Sequence, residues 1–316
     1  AFGYWSNFIA PPRSVILQVD DSKYTLGLLT RYIKGIQAMG AEANLASEPF
    51  NMLTQFQQNE FVKSWGRENS VEIDESALEQ EIMSRIIDVP ENPSDSELDQ
   101  LQREFNEAYQ QFLDTSNLTE AEHRDFVTGS MLRDRLTDRL AEDIPSHGRQ
   151  ADLSWIVIPT NQSQGDDAII DANEKIEQVD LRLKAGEDFA LLAEEFSEDR
   201  DTAVRGGHYG WVPEGIFGAL DSTIFALEPG VPSDKVDTGE TIYFFQVSEY
   251  DEDREVTAAM QMQLTQNSVS QWMIRERGNH RITTCFGSGS KGEPCDWQYD
   301  WLVKQVRSAA IKAGLE

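Results

Sequence analysis

The side chains able to do chemistry are few, and their spacing rules out several kinds of it. Four histidines, His123, His147, His208 and His280, have no metal-ligand spacing between them. No Ser-His-Asp order, phosphate loop or nucleotide fingerprint is present, so the sequence calls for no cofactor and no metal. Asp and Glu number 56 in 316 residues, and at that density a pair of carboxylates is more simply solvated surface than acid/base machinery. The two cysteines stand in TTCFGSGSKGEPCDW as Cys285 and Cys295. A staple across that Gly/Ser/Pro loop is worth about 3 kcal/mol of loop-closure entropy and implies an oxidising compartment; two isolated thiols are the other reading. Zinc is disfavoured, because a structural site needs four ligands and only His280 is near. The densest stretch is VRGGHYGW, residues 204–211. It puts three glycines and two large aromatics into eight residues of an acidic, helix-rich chain.

Composition limits the partners. The net charge is −29, so phosphates are repelled and nucleic acid is excluded as a general partner. No stretch of 18 apolar residues exists to span a bilayer. The opening, AFGYWSNFIAPP, crowds Phe2, Tyr4, Trp5 and Phe8 before Pro11 and Pro12. Such aromatics suit a membrane interface beside an anchor outside this chain; they equally suit an N-terminal helix packed on a core. We therefore treat residues 1–13 as a membrane-proximal segment.

The elements fall into three parts. Residues 14–24, SVILQVDDSKY, read as a strand and a turn. From Thr25 to about Ile144 the pattern is helical, with five helices near 25–39, 48–68, 74–87, 95–114 and 119–142. Leu98, Leu101, Phe105, Tyr109 and Phe112 form one apolar stripe. Asp74 opens a helix, and Ser94 with Glu97 and Thr119 with Glu122 match capping boxes. Near residue 150 the period changes. LSWIVIPT is a buried strand; a helix with Ile169, Ala172, Ile176, Val179 and Leu183 on one face follows, then DFALLAEEFS, the glycine stretch, a short helix near Leu220–Leu227 and the strand ETIYFFQVSEY. The order β-α-α-loop-α-β-β defines an α+β domain. From about residue 255 the chain is helical again.

Residues 151–249 resemble the parvulin-type peptidyl-prolyl isomerase domain. Five blocks carry the resemblance in order: LSWIVIPT, LRLKAGEDFALLAEEFSED, AVRGGHYGWV, DSTIFALEPGVPS and TIYFFQVSEY. The whole chain is similar to extracytoplasmic foldases and chaperones of the SurA and PrsA kind. The resemblance implies a parvulin-like domain over 150–250, inserted into a mainly helical chaperone domain built from 14–149 and 251–316. It also implies unfolded or proline-containing polypeptides as partners, and an extracytoplasmic, membrane-anchored location.

By family position, Phe217, Leu220 and Phe225 are expected to form an apolar slot for proline, with Trp211 beneath it. Asp199 matches the position beside the substrate carbonyl. Gly206, Gly207 and Gly210 are expected to need backbone angles or approaches that a Cβ forbids. Active parvulins carry a histidine in the first strand and another in the last; here those positions are Trp155 and Tyr243. A Trp can donate and a Tyr can donate or accept a hydrogen bond, but not in the same network, so the expected isomerase activity is weak or lost. The loop PTNQSQGDD carries no Lys or Arg, which removes a phosphate-directed preference. Two function classes follow: a folding factor that holds unfolded clients, or a non-catalytic scaffold or assembly subunit with one fixed protein partner.

Overall fold

A computed structural model describes residues 10–38, 44–90, 94–160, 166–287 and 295–313. The chain divides into two compact units, 1–138 with 270–316, and 139–269. Most of the aromatic N-terminal segment, residues 1–9, lies outside the described residues.

The first unit begins with a hairpin. Strand β1 (Val15–Val19) turns at Asp20 and pairs antiparallel with β2 (Ser22–Thr25). The sequence reading expected only a turn after β1. Asp20 takes a left-handed φ of 51°, which Asp tolerates, and the returning strand buries Tyr24. Five helices follow: α1 (Leu26–Ala38), α2 (Glu48–Asn69), α3 (Glu75–Ile86), α4 (Asp95–Ser116) and α5 (Glu120–Ala141). Three of these helices are capped at their starts as the sequence predicts. The Asp74 carboxylate accepts the Ser76 amide at 3.0 Å, the Ser94 amide donates to Glu97 at 2.7 Å, and Thr119 and Glu122 bond reciprocally at 3.0 and 3.2 Å. Along α4, Leu101, Phe105, Tyr109 and Phe112 are buried, but Leu98 is 49% exposed, so the stripe begins one turn later than expected.

The C-terminal chain completes this unit. After α10 (Ala258–Arg277), strand β7 (Ile282–Thr284) joins the free edge of β1, pairing Leu17 with Thr284 and Val19 with Ile282. The sequence reading placed no strand there, since three residues carry no legible period. Cys285 and Cys295 are joined as a disulfide, with Cα atoms 5.5 Å apart. Helix α11 (Asp296–Ala313) then buries Leu302 and Val306 completely.

The second unit is built on one antiparallel sheet. Its elements are β3 (His147–Pro159), α6 (Asp166–Lys184), α7 (Phe189–Phe196), α8 (Arg200–Ala203), β4 (His208–Pro213), α9 (Asp221–Ile224), β5 (Val236–Asp237) and β6 (Thr241–Glu255). The strand order is β4-β3-β6-β5. Two details differ from the sequence reading. The glycine-rich loop contains a strand, β4, and the short helix expected near 220–227 is a 3-10 turn, Gly218–Leu220, running into the single turn of α9. Alternation on β3 and β6 gives the sheet two apolar faces. One carries Ile156, Ile158, Ile242 and Phe244 under α6 and α7. The other carries Ala151, Leu153, Phe245 and Val247 with Ile224 and Phe225, and it includes half-buried Trp155, Phe217, Leu220 and Tyr243.

Candidate functional site

The glycines explain how the site is assembled. Gly206 and Gly207 take φ values of 66° and 80°. A Cβ on Gly206 would lie 2.5 Å from the Ala190 side chain. One on Gly207 would lie 2.4 Å from the Trp155 carbonyl oxygen and 2.9 Å from the Ala193 side chain. No side chain fits there, so the loop closes directly onto α7 and β3. The Trp155 amide then donates to the Gly207 carbonyl at 3.0 Å. Gly210 has open space around it and a φ of 115°, so its requirement is conformational.

A bulge aims the next side chain. Leu153 pairs with Gly210 and Ser154 with His208, leaving Tyr209 as an extra residue on β4. Its ring centroid is 4.4 Å from that of Trp155, and Phe217 stands 5.6 Å from both rings. Tyr243 lies 6.1 Å from Trp155 and stacks on Phe245 at 5.5 Å. Trp155, Tyr209, Phe217 and Tyr243 thus form one partly exposed aromatic group. Leu220 packs on the same core. Phe225 is 8% exposed and lies deeper, under the Arg149 guanidinium at 5.4 Å.

At the edge of this group stands a carboxylate. The Trp155 indole N–H donates to Asp199 Oδ2 at 2.8 Å and to Thr202 Oγ1 at 3.0 Å. The Thr202 hydroxyl donates to the same Asp199 oxygen at 2.7 Å. Burial, the largest single influence, pushes the Asp199 carboxyl upward, but the bonds from Thr202 and Trp155, with the amides of Thr202 and Asp201, outweigh it and hold the group below the usual carboxylate range.

Of the sequence-predicted residues, Asp199, Trp155, Tyr243, Phe217 and Leu220 come together here. Trp211 does not join them. It alternates with buried Val212 and therefore faces the other side of the sheet, where the Arg254 guanidinium covers its ring at 4.1 Å. His208 is also elsewhere, with Nε2 2.9 Å from Asp152 Oδ1. Sequence reasoning missed Tyr209 and Thr202. Tyr209 sat in plain view in the glycine stretch, but only the bulge shows its direction; Thr202 left no signal. Among the described residues, no group of three or more His, Cys, Asp or Glu side chains is arranged to hold a metal ion.

The site is thus a small antiparallel sheet with an aromatic face, a carboxylate at its rim and a glycine loop closed on the first strand. Residues 140–251 match the family described as the PPIC-type PPIase domain. Beyond that domain the chain is similar to the foldase protein PrsA of Oceanobacillus iheyensis, 25% identical over 223 residues covering 66% of this chain and 73% of that protein. It is 34% identical over 98 residues to the chaperone SurA of Methylococcus capsulatus, covering 31% of this chain and 21% of that protein. Among solved structures, peptidylprolyl isomerase PrsA from Bacillus anthracis aligns at 16% identity over 76% of this chain and 96% of that one, with a TM-score of 0.34.

Proposed function

We propose that this chain is an extracytoplasmic folding factor in which catalysis of prolyl isomerisation is weak or lost. The helical parts, 14–149 and 251–316, hold unfolded clients, and the domain over 150–250 takes proline-containing segments. One observation carries the reading. In a domain of the PPIC type, the positions that hold histidines in active parvulins are Trp155 and Tyr243, side by side in an aromatic group with ring centroids 6.1 Å apart.

The physics separates binding from catalysis here. Rotation about a peptide bond crosses about 18–20 kcal/mol, while X-Pro isomers differ by only about 0.5–1 kcal/mol. A catalyst must therefore favour the twisted amide over both planar forms. Apolar rings hold a pyrrolidine by burial at about 25 cal/mol per Å², and burial serves planar and twisted forms alike. Binding survives the loss of the imidazoles where rate enhancement falters.

The location rests on separate support. Relatives are named foldase and chaperone, and a Cys285–Cys295 disulfide needs an oxidising compartment to persist. Among the described residues no helix is long and apolar enough to cross a membrane.

Two assays on one sample test the reading: isomerisation of an unphosphorylated proline peptide, and aggregation of a denatured client. The expected result is slow or absent isomerisation with delayed aggregation. Isomerisation as fast as in a two-histidine parvulin would overturn the weakened catalysis. Failure to delay aggregation at equimolar ratio would overturn the chaperone role and favour a scaffold with one fixed partner.

A further inference from the structure

We propose that Thr202 is a positioning residue: with Trp155 it fixes the Asp199 carboxylate as an oriented acceptor at the rim of the aromatic face. This rests on the reading that the face takes proline-containing polypeptide.

Thr202 is 4% exposed and joins three parts of the site. Its hydroxyl donates to Asp199 Oδ2 at 2.7 Å and accepts from the Trp155 indole at 3.0 Å. A hydroxyl has one proton and two lone pairs, so it does both at once. Its carbonyl accepts the amides of Arg205 at 2.8 Å and Gly207 at 2.9 Å. The residue that aims the carboxylate therefore also anchors the glycine loop against β3. Helix capping alone does not account for this. Asp199 is the N-cap of α8, and a cap needs no donor from a strand 44 residues away. The Trp155 indole supplies that donor.

The donors do not titrate. A threonine hydroxyl and an indole keep their protons throughout the range in which an imidazole would change charge. Several charged and titratable groups stand around the carboxylate. On α8 stand Arg200 and Asp201. Glu198 precedes Asp199 and pairs with Lys175 of α6 at 2.9 Å. Arg205 lies in the loop, where its Nε donates to the Asp201 carbonyl at 3.3 Å. Tyr209 and Tyr243 are the phenols of the aromatic group, from β4 and β6. His208, the imidazole of the glycine stretch, is held by Asp152 at 2.9 Å and not by Asp199.

The test uses the full chain and four variants. Thr202→Val keeps the shape and removes the hydroxyl; Thr202→Ser keeps the hydroxyl. Trp155→Phe removes the indole donor, and Trp155→His introduces a titrating one. Two readouts are taken from pH 2 to pH 9: the carboxyl ¹³C shift of Asp199, and, from pH 5, kcat and KM for an unphosphorylated proline peptide. In the wild type the Asp199 carboxyl should titrate below the usual carboxylate range. Thr202→Val should raise the Asp199 midpoint by about one pH unit and lower kcat/KM about tenfold, the scale of one hydrogen bond to a charged group. Thr202→Ser should restore both within about twofold. Trp155→Phe should raise the midpoint in the same direction, and Trp155→His should add an ionisation at about pH 6–7. An Asp199 midpoint unchanged in Thr202→Val, or not restored by Thr202→Ser, overturns the proposal. Should Thr202→Val not fold, Trp155→Phe and Trp155→His decide it by the same readouts. A wild type with no isomerisation overturns only the catalytic part of the proposed function; the Asp199 titration then still decides the role of Thr202.

Discussion

The glycines of residues 206–210 make separable demands, and the difference is measurable. All three sit at positive φ, which costs a side chain about 1 kcal/mol or more. At Gly210 that is the whole penalty, since nothing lies within 4 Å of its Cβ position. At Gly207 a methyl group would also meet the Trp155 carbonyl oxygen, a backbone atom of the sheet that cannot swing aside. Gly210→Ala should therefore destabilise by about 1 kcal/mol and Gly207→Ala by about 3 kcal/mol or more. Urea unfolding of the two variants, followed by tryptophan fluorescence, checks the order. Equal losses would mean that the loop moves away from β3 at little cost.

At the scale of elements, the helical unit contains a buried titratable contact between α4 and α5. His123 Nδ1 lies 3.0 Å from the Tyr109 hydroxyl, and the histidine is 7% exposed. Burial first, then the charges of Arg85 and Arg124, push its pKa down to about 4. An unfolded histidine titrates near pH 6.5. The unfolded chain thus binds this proton first, and the contribution to stability is complete above about pH 6.5 and drains away as pH falls towards 4. The loss approaches about 3 kcal/mol at the acid end. His123→Gln should flatten the stability profile of the helical unit across that window, as measured by urea midpoints at successive pH values. A profile of the same slope in the variant would assign the acid sensitivity to other groups.

At the scale of the molecule, the helical unit is discontinuous in sequence and the sheet unit is not. Strand β1 pairs with β7 from the other end of the chain, and Leu302 and Val306 of α11 are wholly buried. A chain cut after residue 138 loses an edge strand and part of its core together, so it should not fold alone. Residues 139–269 retain both faces of their sheet and should fold as a fragment. Circular dichroism and amide dispersion of the two fragments test this; a folded 1–138 would show that β7 and α11 are accessory. The disulfide belongs to the same scale. Its short loop limits the entropy it saves to about 3 kcal/mol, so reduction should lower the melting temperature of the helical unit and leave the sheet unit unchanged. The charge of −29 acts over the whole surface. Suppression of aggregation should be stronger for basic clients at low salt and should weaken as salt screens the field.

Short-range chemistry was legible in the residues themselves. Caps at Asp74, Ser94 and Thr119, the α4 stripe and the five ordered blocks of residues 151–249 each rest on neighbours a few positions apart, and local propensity and period act over that distance. The need for glycine at 206 and 207 was visible in the same way, though not what it avoids. Tertiary structure decided which face each side chain takes and which distant groups meet. One extra residue on β4 turns Tyr209 towards Trp155, and strand alternation sends Trp211 to Arg254 on the far side; a side-chain period of two makes every such assignment depend on register. The contact of Trp155 with Asp199 and Thr202 spans more than forty residues and rests on hydrogen bonds of 2.7 to 3.0 Å, which form only once the side chains have been brought together. Strand β7 has only three residues and no period of its own, and it is a strand because β1 offers an edge. Spacing along a chain encodes local order, whereas contacts between remote side chains exist only after the sheet has set its register.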